Sequence, residues 1–167
     1  MYMYMTNPGR ARITRKNGGA KNNTRKAGKK MTGNKGNKGR NRLTKAVMNG
    51  ISSQFMEMLA TVKLYHWKTM YLSVHLASDD LYASLNTKLD RFMEVLIGKT
   101  NYNIDKLCFK CFSVETKHHF VQTIDGYVEY LRGLSDIFHD NSDSELISIR
   151  DEIIGDLLQL IYLMRLK

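Results

Sequence analysis

The chain has 167 residues, about one domain, and a formal charge of +10 from 26 Lys+Arg and 16 Asp+Glu. No run of about 18 apolar residues is present, which excludes a transmembrane helix. The segment Met1–Met5 is too short for the apolar core of a signal peptide. The two cysteines do not make a disulfide framework and indicate a reducing compartment.

The charge is divided unevenly along the chain. Residues 1–45 contain 14 basic residues and no carboxylate, and the first acidic residue is Glu57. Residues 46–167 therefore have the remaining 12 basic residues and all 16 acidic ones, a net charge of −4. The sequence predicts a basic tail over residues 1–44 and a folded domain over residues 45–167.

The tail is rich in glycine and asparagine and almost lacks large apolar side chains. We predict that it is disordered, because it buries too little surface to offset its loss of conformational entropy. Cations spread along such a segment suit phosphates better than base edges, so we predict salt-sensitive, non-specific DNA binding. RNA, an anionic membrane surface without insertion, or no partner are the alternatives. The predicted DNA-binding residues are Arg10, Arg12, Arg15, Lys16, Lys21, Arg25, Lys26, Lys29, Lys30, Lys35, Lys38, Arg40 and Arg42.

The folded domain shows apolar residues at helical spacing in four stretches. Ser73 is the predicted N-cap of the second helix and Gly98 its stop. The fourth opens with Ser142-Asp143-Ser144-Glu145, a capping-box pattern. The predicted helices cover about residues 50–67, 74–97, 116–139 and 142–167.

The connections between the helices predict the topology. Two connections, at about residues 68–72 and 140–141, are short, so each joins antiparallel neighbours. The connection at about residues 98–115 is long enough to cross the bundle. No stretch has the alternation of a strand. The sequence therefore predicts an all-α, ferritin-like four-helix bundle with one long crossover, preceded by the disordered tail.

Histidines and carboxylates lie at opposite ends of the predicted second helix. His75 is followed four residues later by Asp79, and Asp90 and Glu94 have the same spacing near the other end. This spacing puts each pair on one helical face. His66, at the end of the first helix, is predicted to lie beside His75. Imidazoles with carboxylates suit iron, manganese or zinc, so we predict a metal site.

The length of the helix separates the two groups within one chain. His75 and Asp90 are 15 residues apart, which corresponds to ~22 Å along the helix axis. An antiparallel second copy would bring each group against its complement. We therefore predict a two-fold dimer with two mixed sites, one at each end of its interface.

The pattern Tyr65-His66-Trp67, Val74-His75-x-x-x-Asp79 and Leu89-Asp90-x-x-x-Glu94 resembles the signature of the Dps proteins, or miniferritins. The resemblance covers about residues 50–167 and is sharpest over residues 65–98. The histidine–tryptophan pair, with Asp151-Glu152 and Tyr162-Leu163, is also similar to small ferritin-like proteins of phages and large DNA viruses. The segment between the histidines is shorter than in typical miniferritins, and Leu76 stands where many carry a glutamate.

The resemblance implies an inter-subunit ferroxidase site, with His66 and His75 from one subunit and Asp90 and Glu94 from the other. Fe(II) would be oxidised there by peroxide or oxygen and stored in a dodecameric cage. Asp79 matches a further carboxylate of the family, and Trp67 matches a tryptophan beside the site. Some members bind DNA through lysine-rich tails, which favours DNA as the partner. The implied location is cytoplasmic, nucleoid-associated or inside a virion.

Two alternatives stay open. The same bundle could be an architectural scaffold that condenses DNA with little or no ferroxidase activity, so an enzymatic role is uncertain from the sequence. Cys108-x-x-Cys111 with His118 and His119 could form a zinc site, although the flanking Leu107 and Phe112 favour packing.

Overall fold

The computed structural model describes residues 43–108 and 112–166. The chain forms no strand in these two segments, which confirms the predicted all-α class with four helices. None of the helices in the described segments has both the length and the apolar character needed to cross a membrane. The predicted DNA-binding residues, Arg10 to Arg42, lie outside the described residues.

The helices are α1 (Lys45–Lys68), α2 (Leu72–Thr100), α3 (Lys117–Gly133) and α4 (Ser144–Arg165), with a 3₁₀ turn at Leu134–Asp136.

The first two helices are longer than predicted. α1 begins at Lys45, where the Thr44 hydroxyl caps the helix by accepting from the Val47 N–H at 3.3 Å. The additional turn buries Met48 completely. α2 continues past the predicted stop at Gly98 and ends at Thr100. Its C-cap is Asn101, whose φ of 52° lies in the left-handed region that asparagine tolerates.

The last two helices differ from the prediction in their ends. The predicted third helix reached residue 139, but α3 ends at Gly133 and the 3₁₀ turn follows. The predicted capping box is wrong, because Asp143 and not Ser142 is the N-cap of α4. Glu145 accepts a hydrogen bond from Lys99 of α2, so its carboxylate binds a neighbouring helix.

Each helix packs between two others. α2 lies between α1 and α4, and α3 packs against α4. α1 and α3 meet through the Thr61 and Tyr127 hydroxyl oxygens, 2.8 Å apart, and the stacked rings of Tyr65 and Phe120, with centroids 3.9 Å apart. The order around the bundle is therefore α1, α2, α4, α3.

The connection between α2 and α3 contacts both ends of α1. Near its beginning, Asp105 forms an ion pair with Lys45 at 2.5 Å. Near its end, the Val114 carbonyl accepts a hydrogen bond from Lys68 at 2.6 Å. α3 therefore starts at the end of the bundle where α1 stops, and it runs antiparallel to both α1 and α4.

An aromatic cluster joins three parts of the core at the other end of the bundle. Phe92 of α2 packs edge-on against Phe55 of α1, with centroids 5.1 Å apart, and against Phe138, at 5.7 Å. Edge-to-face pairs each contribute about 0.5–1.5 kcal/mol beyond the burial of their area. The 3₁₀ turn keeps Phe138 in this cluster after α3 has ended.

Candidate metal site at the ends of α2

His66 and His75 hold each other in place across the turn between α1 and α2. The Nδ1 of His66 is 3.1 Å from the carbonyl oxygen of His75, and the Nδ1 of His75 is 3.0 Å from the carbonyl oxygen of His66. The two rings stack with centroids 3.9 Å apart and planes 25° apart. The sequence prediction that these histidines are neighbours is therefore confirmed.

This bonding selects the tautomer of both neutral rings. A carbonyl oxygen can only accept, so each Nδ1 carries the hydrogen and donates it. The Nε2 of each neutral ring then has a free lone pair. Metal-binding histidines commonly have this arrangement, with one nitrogen held by a backbone carbonyl and the other on the metal. Both rings could therefore bind a metal through Nε2.

Ser78 supports the histidine pair from the buried side and was missed by the sequence analysis. Its hydroxyl donates to the His75 carbonyl at 2.9 Å and lies 3.4 Å from the Nδ1 of His66. The side chain is fully buried, so its bonds are shielded from water. Its position three residues after His75, on the same helical face, could have identified it.

Asp79 lies beside the histidine pair on the exposed side. Its Oδ1 is 3.7 Å from the Nε2 of His66 and 3.3 Å from the Nζ of Lys63. The Lys63 ammonium also lies 4.6 Å from the centre of the Tyr82 ring. Lys63, which the sequence analysis did not single out, therefore places a positive charge beside a predicted metal ligand.

Exposed apolar side chains surround the turn. His66 is only 8% exposed, whereas the adjacent Trp67 is 72% exposed. Four more large apolar residues on the turn and the start of α2 are also exposed. Apolar groups concentrated in this way commonly mark an interaction surface. We call this surface the turn patch; it consists of Trp67, Met70, Tyr71, Leu72 and Leu76.

Asp90 and Glu94 lie at the other end of α2, exposed to solvent. No described residue forms a hydrogen bond or ion pair with either carboxylate. Asp90 stands at the edge of a pocket of about 240 Å³ between α1, α2 and the crossover. We call this the α1–α2 pocket; it is lined mainly by Met56, Leu59, Leu89, Met93, Ile104 and Leu107.

The two polar groups share one face of α2 without meeting. Asp79 and Asp90 are 11 residues apart in one unbroken helix, which is about three turns, or roughly 16 Å. Within residues 43–108 and 112–166, no three His, Cys, Asp or Glu side chains are placed to hold a metal ion. The structure brings His66 close to His75 and Asp79, but keeps Asp90 and Glu94 apart from them.

The alternative cysteine-based zinc site falls partly outside the described residues, because Cys111 is among residues 109–111. Cys108 is exposed, and its main-chain N–H donates to the Ser53 hydroxyl at 2.8 Å. The His119 Nδ1 lies 3.5 Å from the main-chain N–H of Glu115. These contacts connect the crossover to α1 and to the first turn of α3.

Comparison with known proteins gives a family but no described activity. Neither the curated proteins nor the solved structures contain a significant match. A model of a family of unknown function, DUF5856, matches residues 66–164, which is more than half of the chain. The match includes His66, His75, Asp79, Asp90 and Glu94 and excludes the basic tail. The chain belongs to the DUF5856 family.

Proposed function

We propose that the protein is a Dps-like miniferritin that oxidises and stores iron and binds DNA through its basic tail. The observation that carries the proposal is the reciprocal bonding of His66 and His75, which leaves the Nε2 of each neutral ring free to bind a metal. The main chain fixes both rings through Nδ1, and the Oδ1 of Asp79 lies 3.7 Å from the Nε2 of His66, where a metal ion would bind.

The order of the helices supports a ferritin-like bundle. Two antiparallel pairs, α1 with α2 and α3 with α4, are joined by one crossover that contacts both ends of α1. Ferritin-like folds have this combination of antiparallel packing and a single long connection. The proposed cage adds further interfaces between copies of this bundle.

The position midway between His75 and Glu94 along α2 is also midway between Asp79 and Asp90. A two-fold axis through that position, perpendicular to α2, exchanges the histidine end of one subunit with the carboxylate end of the other. Each end of the interface would then combine two imidazoles with three carboxylates. Iron is the substrate bound there.

The proposed residues have distinct roles. Neutral imidazoles bind Fe(II) through Nε2, while Asp90 and Glu94 of the other subunit supply hard oxygen ligands that balance the metal charge. Two Fe(II) ions each give one electron to hydrogen peroxide, which takes up two protons and leaves as two waters. Asp79 supplies a further oxygen ligand near His66.

Mixing complementary variants tests the shared site. His66→Ala/His75→Ala and Asp90→Ala/Glu94→Ala should each lose peroxide-dependent Fe(II) oxidation. Subunits of the two variants, unfolded, mixed and refolded together, should recover part of the activity, because a mixed dimer contains one complete site. An Asp125→Ala/Glu129→Ala variant, which removes two exposed carboxylates with the same spacing on α3, is the matched control. Unchanged oxidation in the first two variants, or no recovery on mixing, would overturn the proposal.

The proposed role of the tail has a separate test. A variant that begins at Thr44 should lose DNA binding at low salt, because 13 of the basic residues precede that position. The full chain should bind DNA with an affinity that falls steeply as salt is added. Retained binding by the shortened variant would refute a role for the tail. DNA condensation by a protein that never oxidises iron would favour the architectural alternative.

A further inference from the structure

We propose that Trp67 of each subunit inserts into the α1–α2 pocket of its two-fold partner and thereby sets the register of the pair. This inference rests on the two-fold arrangement of the proposed function and adds a contact that does not depend on metal. It concerns the only tryptophan of the chain, so its surroundings can be measured directly.

Trp67 has the features of an anchor residue. It is 72% exposed although it stands next to His66, which is buried. Tryptophan is among the residues that contribute most to binding energy when they are desolvated in a partner's pocket. Its indole lies in the turn patch, so one contact surface would cover several apolar side chains together.

The α1–α2 pocket matches this side chain in size and chemistry. Its volume of about 240 Å³ is below the range of about 300–1,000 Å³ typical of small-molecule sites. A dry cavity of about 150 Å³ already accepts a benzene ring, so the larger indole is a reasonable fit. Its walls are mainly apolar, and the Asn86 amide at its edge offers an acceptor for the indole N–H.

The register of the helices places the two features opposite each other. Trp67 lies one helical turn beyond Lys63, and Lys63 contacts Asp79 of α2. Trp67 therefore lies at about the depth of His75 along the bundle. The two-fold rotation that exchanges His75 with Glu94 brings Trp67 to the level of Glu94 on the partner's α2. The end of the pocket that Met93 lines is at that level. Side chains on a helix lean towards its N-terminus, which directs the indole further into the pocket.

The charges on the two surfaces are complementary. Lys63 lies one helical turn before Trp67 on the same face of α1 and keeps its ammonium partly exposed. The pocket, by contrast, is bordered by Asp90 and followed one turn later by Glu94. Opposite charges around an apolar contact favour one orientation of the partners and disfavour others. The pocket thus fits a second copy of this chain better than an acidic partner.

Fluorescence of the full chain in chelator-treated, metal-free buffer tests the insertion. As the protein associates, the emission of Trp67 should move to shorter wavelength and its quenching by acrylamide should fall several-fold. Sedimentation of the same samples gives the oligomeric state. An associated protein whose tryptophan is still quenched as readily as the dilute protein would overturn the proposal.

Variants separate the anchor from general effects on folding. Trp67→Ala should weaken dimer association about 30-fold or more, the effect of a hot-spot residue. Met56→Glu, which alters a pocket wall that is 43% exposed, should weaken association similarly and leave Trp67 accessible to quencher. Tyr162→Ala removes an aromatic side chain that is 60% exposed on α4 and should leave dimer affinity unchanged. Circular dichroism checks that each variant is folded, and equal dimer affinity in Trp67→Ala and Tyr162→Ala would refute the insertion.

The outcomes distinguish this inference from the proposed function. A dimer with Trp67 buried and no iron oxidation would retain the insertion and reject the ferroxidase. If mixing the variants restores iron oxidation but Trp67 stays exposed in the dimer, the ferroxidase is retained and the insertion is rejected.

Discussion

His66 and His75 each donate a ring N–H to the main-chain carbonyl of the other, at 3.1 and 3.0 Å. Only three residues separate the end of α1 from the start of α2, so these bonds connect both helix ends directly. The orientation of each ring is consequently set by the backbone of the turn. A ligand that needs both Nε2 atoms would meet rings that are already oriented, which lowers the entropic cost of binding.

Ser78→Ala should weaken metal binding with little effect on folding. The substitution removes the hydroxyl that donates to the His75 carbonyl and lies beside the His66 ring. Loss of a group that orients a metal ligand typically costs about 10–100-fold in affinity. Anaerobic calorimetry with Fe(II) measures the change. Ser84→Ala, which removes a hydroxyl bonded to Asp156 on the α4 side of the same helix, should bind Fe(II) as the wild type does.

Lys63→Gln should strengthen metal binding. The lysine lies 3.3 Å from Asp79, so it opposes a cation and competes for the carboxylate. Exposed ion pairs contribute about 0.2–1 kcal/mol, which corresponds to a gain of up to about fivefold in affinity. The same calorimetric titration applies, and Lys88→Gln, which breaks the ion pair with Asp156, is the control. Weaker Fe(II) binding in Lys63→Gln than in the control would contradict this electrostatic role.

Alkaline unfolding should depend on Tyr127. Burial, the largest influence, raises the pKa of its hydroxyl to about 12 from the ordinary 10.0, and Glu57 also raises it. The unfolded chain therefore loses this proton first as the pH rises. The contribution of protonated Tyr127 to the free energy of unfolding should be fully present below pH 10.0, and it should be lost between pH 10.0 and about 12.

Urea unfolding at a series of pH values tests this dependence. Tyr127→Phe should make the alkaline loss of stability less steep and should cost about 1 kcal/mol at neutral pH, because the Thr61 hydroxyl loses its partner. Part of the remaining dependence of stability on pH should come from Tyr130, because burial also raises its pKa to about 12. Tyr162→Phe, at an exposed position, should follow the wild type, and an unchanged slope in Tyr127→Phe would contradict the assignment.

Acid unfolding should depend on Lys99, which joins α2 to the start of α4. The hydrogen bond from Lys99 lowers the pKa of Glu145. Burial tends to raise the pKa of Asp143, but hydrogen bonds from the His139 main chain, Lys99 and Ser142 outweigh it and lower that pKa. The two ionised carboxylates therefore stabilise the folded state above their ordinary pKa values of 4.5 for Glu145 and 3.8 for Asp143. This contribution is lost as the pH falls through their lowered pKa values in the folded protein.

Lys99→Met should therefore reduce stability at neutral pH and make its loss in acid less steep. The midpoint of urea unfolding, measured from neutral pH down to below 3.8, gives both effects. Arg132→Met breaks the exposed pair with Glu129 and should leave the curve unchanged. Identical curves for the two variants would show that the Lys99 contacts contribute nothing.

The sequence predicted the helices better than their ends. Helical spacing identifies a buried face, and residues such as Leu85 and Leu89 are buried as expected. The ends depend on contacts between helices that spacing does not contain. Glu145 binds Lys99 of α2, and the N-cap of α4 is Asp143. Phe138 stays buried in the core although its helix has ended.

The candidate site was predictable where it is local in the chain. His66 and His75 flank one short turn, so their adjacency follows from antiparallel packing. Ser78 and Lys63 were missed because serine and lysine occupy exposed helical positions far more often than supporting ones. Asp90 and Glu94 have no bonded partner among the described residues, and their pairing with the histidines of a second copy stays a prediction.

The unbroken course of α2 from Leu72 to Thr100 makes the spacing of its two polar groups nearly independent of the rest of the fold. Loops can lengthen and neighbouring helices can shift, but a single helix changes its length very little. A second copy that binds along α2 therefore contacts both the histidine end and the carboxylate end of the helix, or neither. Association along this face should accordingly be all-or-none.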